Sequence, residues 1–188
     1  MVVPVLLVTG PIGVGKTTVL HEADSLLIEA DVPHATVELE EIARCWTEAI
    51  ETSRASFVYQ NLAALWTNFT AVGATRLLLS GLVERRLEVQ RVSEAVPGAV
   101  VTVVRLHAPL AVLEQRIRLR EPASPDGELD GARWWARHFE GEHPEDYLVE
   151  TDQRPVREIA VTCSASPAGS REATAAQGSI RSAGAGQH

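Results

Sequence analysis

At 188 residues, with 45% hydrophobic side chains and a net charge of −8, the chain is long enough for one well-buried α/β domain and too short for two of ordinary size. The acidic balance argues against a general nucleic-acid binder, which needs a basic stripe to release counterions, but leaves room for a small anion at a local positive site. The longest apolar runs, such as 77–79 and 99–104, fall far short of the roughly twenty residues that span a bilayer, so no membrane partner is expected.

In chain order, apolar Val5, Leu6, Leu7 and Val8 form a first strand that leads into Gly10, Pro11, Ile12, Gly13, Val14, Gly15, Lys16, Thr17 and Thr18. This run matches G-x-x-x-x-G-K-[ST], the pattern of a phosphate-binding loop. Its glycines let successive backbone N–H groups turn onto an anion, Lys16 reaches the outer phosphates, and Thr17 offers a hydroxyl to Mg²⁺. The helix that follows adds the partial positive charge of its N-terminus. Lys16 is the single lysine among seventeen Lys and Arg residues, placed where a compact charge on a flexible stem suits a phosphate cradle.

A helix is expected over 16–30, ended by Asp31-Val32-Pro33, and a second strand over 34–39. Strand, helix and strand in so short a stretch read as a right-handed crossover in a parallel sheet. Helices at 40–51 and 54–73, a strand at 75–80 and a charged helix at 83–94 follow. The strand 99–107 is nearly continuous in apolarity, as a central strand covered on both faces should be. Pro109 opens a helix at 109–121.

The segment EPASPDGELDG, 121–131, reads as a mobile loop, followed by a short helix carrying Trp134 and Trp135. A fifth strand at 147–151, a turn at 152–155 and a last short helix or strand complete the domain. From Cys163 onward the composition of Ala, Gly, Ser, Pro and Gln predicts a disordered tail. The expected division is one domain over 1–162, with a lid around 121–140, and the tail 163–188. Cys45 and Cys163 show no metal-ligand or redox spacing and read as free thiols. With no positively charged leader before the first strand, a cytoplasmic location is expected. The fold class is α/β: a doubly wound, five-stranded parallel sheet with helices on both faces and the loop at the carboxyl edge of the first strand.

Exclusions narrow the choice among phosphate-loop proteins. A guanine reader N-K-x-D needs a second lysine that the chain lacks. Motor-like ATPases usually end a buried strand in an acid, whereas here the strands end in Leu79-Ser80 and Leu106-His107. Over about residues 3–160 the chain resembles the small-molecule and nucleotide kinase branch, which includes adenylate, shikimate and gluconate kinases and chloramphenicol phosphotransferase. The resemblance is carried by GPIGVGKTT, by VVRLHAPLAVLEQRIRLRE and by YLVETDQRPVREIA.

That resemblance implies ATP and Mg²⁺ as cofactors, transfer of the γ-phosphate to a small hydroxyl- or phosphate-bearing acceptor, and a lid that excludes water. It further implies that Arg116 and Arg120 contact the nucleotide and the transferred phosphoryl group, and that Arg154 lies on the adenine-side turn. Four apart on one helical face, Arg116 and Arg120 can point into one cleft; the alternative is a solvated face pairing with Glu114 and Glu121. Glu38, with Glu40 and Glu41 beyond it, stands where the branch places an acid against the acceptor hydroxyl; alternatively Glu40 and Glu41 favour the start of the next helix. Ser80 departs from relatives that carry an acid near Mg²⁺, a place Glu84 could fill. That departure motivates the second reading, a nucleotide-binding regulatory protein without efficient transfer. Arg85 and Arg86 reach either an acceptor or solvent, and Trp134 and Trp135 either stack on a ring or pack under the lid.

Overall fold

The computed structural model describes residues 2–47, 50–138 and 143–164. The strand β1 (Val3–Thr9) lies at the centre of the sheet, with Leu7 and Val8 fully buried. The chain then passes through α1 (Lys16–Glu29), β2 (Ala35–Glu38), α2 (Leu39–Ile42), α3 (Ile50–Ala71), β3 (Leu77–Ser80), α4 (Arg86–Ala95), β4 (Ala99–His107), α5 (Leu110–Arg120), α6 (Asp126–His138), β5 (Tyr147–Glu150) and α7 (Val156–Ser164). All strand pairs are parallel, in the order β2-β3-β1-β4-β5. β1 is in register with β4 from Val3↔Ala99 to Thr9↔Arg105.

Alternation along β1 divides the core between two faces. Val5 and Leu7 pack with Val37, Leu62, Trp66 and Leu79 beneath α3 and α4. Leu6 and Val8 pack with Leu20, Val104, Ile159 and Cys163 beneath α1 and α7. Truncating a fully buried side chain such as Leu20 to Ala costs about 2–5 kcal/mol. The expected fold class is thus the observed one, and among the described residues no helix is long and apolar enough to cross a membrane.

Several expected boundaries move, each for a local reason. The helix expected over 40–51 breaks after α2, because the Asn61 side chain of α3 donates to the Ile42 carbonyl at 2.7 Å and Arg44 N–H turns back to Glu41 O at 3.1 Å; 43–47 are irregular, 48–49 lie outside the described residues and 50–51 open α3. The helix expected from 83 starts at Arg86: the Glu88 carboxylate accepts the N–H groups of Glu84 at 2.7 Å and Arg85 at 3.0 Å, which leaves 81–85 as a loop. Pro109 precedes α5 rather than lying in its first turn.

The largest difference concerns the loop expected over 121–131, inside the expected lid around 121–140, of which 139–140 lie outside the described residues. Only 121–125 is irregular, and the acid- and glycine-rich text from Asp126 onward is helix α6. Leu129 and Ala132 bury against Ile117 of α5, and Ile12 joins that cluster. Asp126 and Glu128 occupy the helix's first turn, where negative charge is favoured. Tertiary packing thereby overrides two glycines that disfavour helix. The expected boundary at 162/163 also falls inside α7, where Cys163 is fully buried and its thiol is pushed up to about 12 by burial. Cys45 and Cys163 are free thiols. The tail expected to be disordered lies, from 165 onward, outside the described residues.

Candidate functional site

The glycine loop spans the gap between the carboxyl end of β1 and the first residue of α1, Lys16. Gly10 has φ 140°, and a Cβ there would lie 2.6 Å from the Leu106 carbonyl oxygen of β4. Gly13 has φ 83° and would meet Ile117 Cγ1 at 2.9 Å. Both positions therefore require glycine for conformation and for space. The Lys16 ammonium lies back across the loop, donating to Gly10 O at 3.1 Å and Pro11 O at 3.5 Å. Burial lowers its pKa below the ordinary lysine value; Glu40 opposes that shift, Arg120 adds to it, and Glu38 opposes it.

Thr17 donates its hydroxyl to Glu38 Oε2 at 2.6 Å. Glu38 ends β2 opposite Ser80 of β3, and His21 Nε2 stands 3.6 Å from its other oxygen. The expected acids therefore separate by position. Glu38 turns onto Thr17, Glu41 pairs with Arg44 at 2.6 Å, and exposed Glu40 bears on the charge of Lys16. The loop 81–85 is tied over the end of β1 by Thr9, whose hydroxyl donates to Val83 O at 3.1 Å and accepts Val83 N–H at 3.0 Å.

Across the glycine loop, Arg116 and Arg120 both line a cavity of about 330 Å³, together with Thr18, Val19, Arg154 and Val156. They are engaged differently. Arg116 donates to the Thr151 hydroxyl at 3.0 Å, to Thr151 O at 3.0 Å and to Val14 O at 3.2 Å. It joins the glycine loop to the turn after β5. Arg120 binds Glu128 of α6, with its Nε 4.0 Å from Glu121. Arg118 points away and pairs with Glu114 at 2.9 Å; hydrogen bonds from Arg133 and then Arg118 hold the Glu114 carboxyl below the usual carboxylate range. Arg154 donates to Glu150 O at 3.4 Å and to Thr162 Oγ1 at 3.1 Å.

Thr151 is the site residue that sequence reasoning missed. Its N–H bonds His107 O at 2.8 Å, so it stitches β4, the glycine loop and Arg116 together, and a lone Thr at the end of a strand carries no signal of that. His21, 3.6 Å from Glu38, is a second such residue. Arg86 reaches His143 O at 3.4 Å, and Arg85 is exposed at the start of α4. Trp134 and Trp135 meet edge to face at 4.7 Å, with Trp134 half exposed.

Hydroxyl and carboxylate oxygens at Thr17 and Glu38 are the donor type that Mg²⁺ takes, usually with several waters completing the shell. Among the described residues no group of three His, Cys, Asp or Glu side chains forms a protein-only metal cage.

No family model and no curated protein matches the chain. Its fold is similar to a gluconokinase from Sinorhizobium meliloti 1021, at 21% identity and a TM-score of 0.55, over 87% of this chain and 90% of that one. It is similar to an APS kinase from Mycobacterium tuberculosis, in complex with AMPPNP and APS, at 18% identity and a TM-score of 0.55, over 86% and 94%. A shikimate kinase from Acinetobacter baumannii, in complex with shikimate, matches at 19% identity and a TM-score of 0.50, over 86% and 90%. The fold of this chain is that of the phosphate-loop kinases of small metabolites.

Proposed function

We propose that the chain is an ATP-dependent phosphotransferase that moves the γ-phosphate to a small hydroxyl- or phosphate-bearing metabolite, in the cytoplasm. The observation that carries the reading is the Thr17–Glu38 pair next to Lys16, in the first turn of the helix whose Thr18 and Val19 line the cavity with Arg116 and Arg120. In this reading the nucleotide fills the cavity under Arg116 and Arg120, with its phosphates over the N–H groups of 12–18. Lys16 swings from the Gly10 and Pro11 carbonyls onto the outer phosphates. Thr17 and Glu38 would hold Mg²⁺, which neutralises phosphate charge when bound. With Glu38 turned to that side, Glu40 is the acid left to orient the acceptor hydroxyl or take its proton. Arg154 contributes to the base side of the cavity.

The test is ATP consumption across a metabolite panel with wild type and Lys16→Ala. Acceptor-dependent turnover that disappears in the variant supports the reading, and equal activity in the two sinks it. The second reading, a nucleotide-binding regulatory protein without efficient transfer, rests on Ser80 standing buried where an acid is usual. It is favoured by tight nucleotide binding with no acceptor turnover and is removed by rapid transfer to any metabolite.

A further inference from the structure

Arg120 is the last residue of α5, its side chain 54% exposed, and it faces both the cavity and α6. Its guanidinium is bound to Glu128, with Glu121 at 4.0 Å as a second carboxylate. The same charge reaches the phosphate side of the site, since Arg120 is among the groups that bear on Lys16. Phosphates gathered by Lys16 therefore arrive within the field of an arginine that is already engaged.

Glu128 stays where it is because α6 is anchored. Leu129 and Ala132 are buried against Ile117, and Arg133 holds Glu114 at 2.7 Å. Gly131 lies so close to the glycine loop that a Cβ on it would come 2.7 Å from Ile12 Cδ1. A long side chain at a helix end has rotamer freedom that a packed helix lacks, so Arg120 is the part that moves. In the first turn of α6, Glu128 also keeps the favourable field of the helix N-terminus once its partner leaves. A guanidinium presents five N–H donors in a fixed fork, and Arg120 spends its Nη2 on Glu128, so a phosphate gripped bidentately through that edge displaces the carboxylate.

We propose that Glu128 competes with the terminal phosphate of a bound nucleoside triphosphate for Arg120, so that this residue of α6 sets the affinity of the site. Glu128 is then a positioning residue that acts through Arg120. It weakens triphosphate binding and retrieves the arginine when the terminal phosphate has gone. The proposal rests on the nucleotide reading of the cavity.

The experiment measures dissociation constants of AMP-PNP and ADP, with Mg²⁺, for the full chain as wild type, Glu128→Gln, Arg120→Ala and the double variant. Lys16→Ala serves as the binding control, and thermal unfolding of each protein reports whether α6 stays docked. Replacing Glu128 removes a partly exposed ion pair, so AMP-PNP is expected to bind about two- to fivefold tighter. ADP should gain less, and the Glu128 effect should vanish on the Arg120→Ala background. Unchanged or weaker AMP-PNP binding by Glu128→Gln, or the same gain without Arg120, overturns the proposal. If wild type binds neither nucleotide, the nucleotide reading fails and the proposal with it; if wild type binds and Glu128→Gln matches it, the proposal alone fails.

Discussion

The Thr17 hydroxyl donates to the Glu38 carboxylate at 2.6 Å, joining the first turn of α1 to the last residue of β2. It turns toward the glycine loop a carboxylate that the kinase resemblance implies against the acceptor, and Glu40 lies exposed two residues beyond it.

Separate roles for those two acids predict separable kinetics. Glu38→Gln is expected to raise the Mg²⁺ concentration needed for half-maximal turnover while ATP remains able to bind. Glu40→Gln is expected to lower kcat by about 10²-fold, the lower range for loss of a positioned acid or base, with the Mg²⁺ requirement unchanged. Steady-state rates over a Mg²⁺ series, with acceptor saturating, separate the two. Identical profiles would return both acids to one role.

The Arg116 strut predicts a stability effect. Arg116→Ala removes three hydrogen bonds, two of them to Thr151, and leaves the buried Thr151 hydroxyl with only the Val14 and His107 carbonyls, at 3.3 and 3.2 Å. A cost of about 2–4 kcal/mol is expected, since bonds to a charged donor are the stronger kind. Thr151→Val keeps the shape and should cost about 1–2 kcal/mol. Urea unfolding measures both, and a double variant whose loss falls short of the sum would show that the two act together.

Two glycines of α6 should respond to different degrees to the same substitution. A Cβ on Gly127 meets nothing within 4 Å, so Gly127→Ala is expected to stabilise by up to about 1 kcal/mol through helix propensity. On Gly131 the Cβ meets Ile12 at 2.7 Å, so Gly131→Ala should gain less and Gly131→Val should push α6 off the glycine loop. Thermal unfolding ranks the three, and protease cleavage within 121–125 should rise only for Gly131→Val.

Stability should fall at alkaline pH because of Cys163 and Tyr59. Burial raises both groups to about 12, against ordinary values of about 8.5 and 10. Below those ordinary values the folded and unfolded states hold the same protons and the full stability is present. Above them the unfolded chain loses protons that the folded one keeps, and stability is lost as pH rises toward about 12. The slope from each group is at most about 1.4 kcal/mol per pH unit. Urea midpoints between pH 7 and 10.5 should decline less steeply for Cys163→Ala, even though that variant starts lower for lack of the sulfur's packing.

Local text determined the sheet and the loop. The apolar run before Gly10, the alternation of strand and helix patterns and the β-branched stretch at 99–107 depend on neighbours in sequence, so strand positions and fold class were readable from them. The phosphate-loop pattern was readable for the same reason, since its glycines answer to contacts at fixed places in any such strand-to-helix turn. What only the tertiary structure decided depends on distant partners. EPASPDGELDG reads as loop in isolation, yet from Asp126 it is helix because Ile117 and Ile12 cover Leu129 and Ala132. Arg116 is engaged by Thr151, 35 residues away, and Glu38 by Thr17, 21 residues away. A side chain's partner is chosen by what the fold brings opposite it, and spacing along the chain does not carry that.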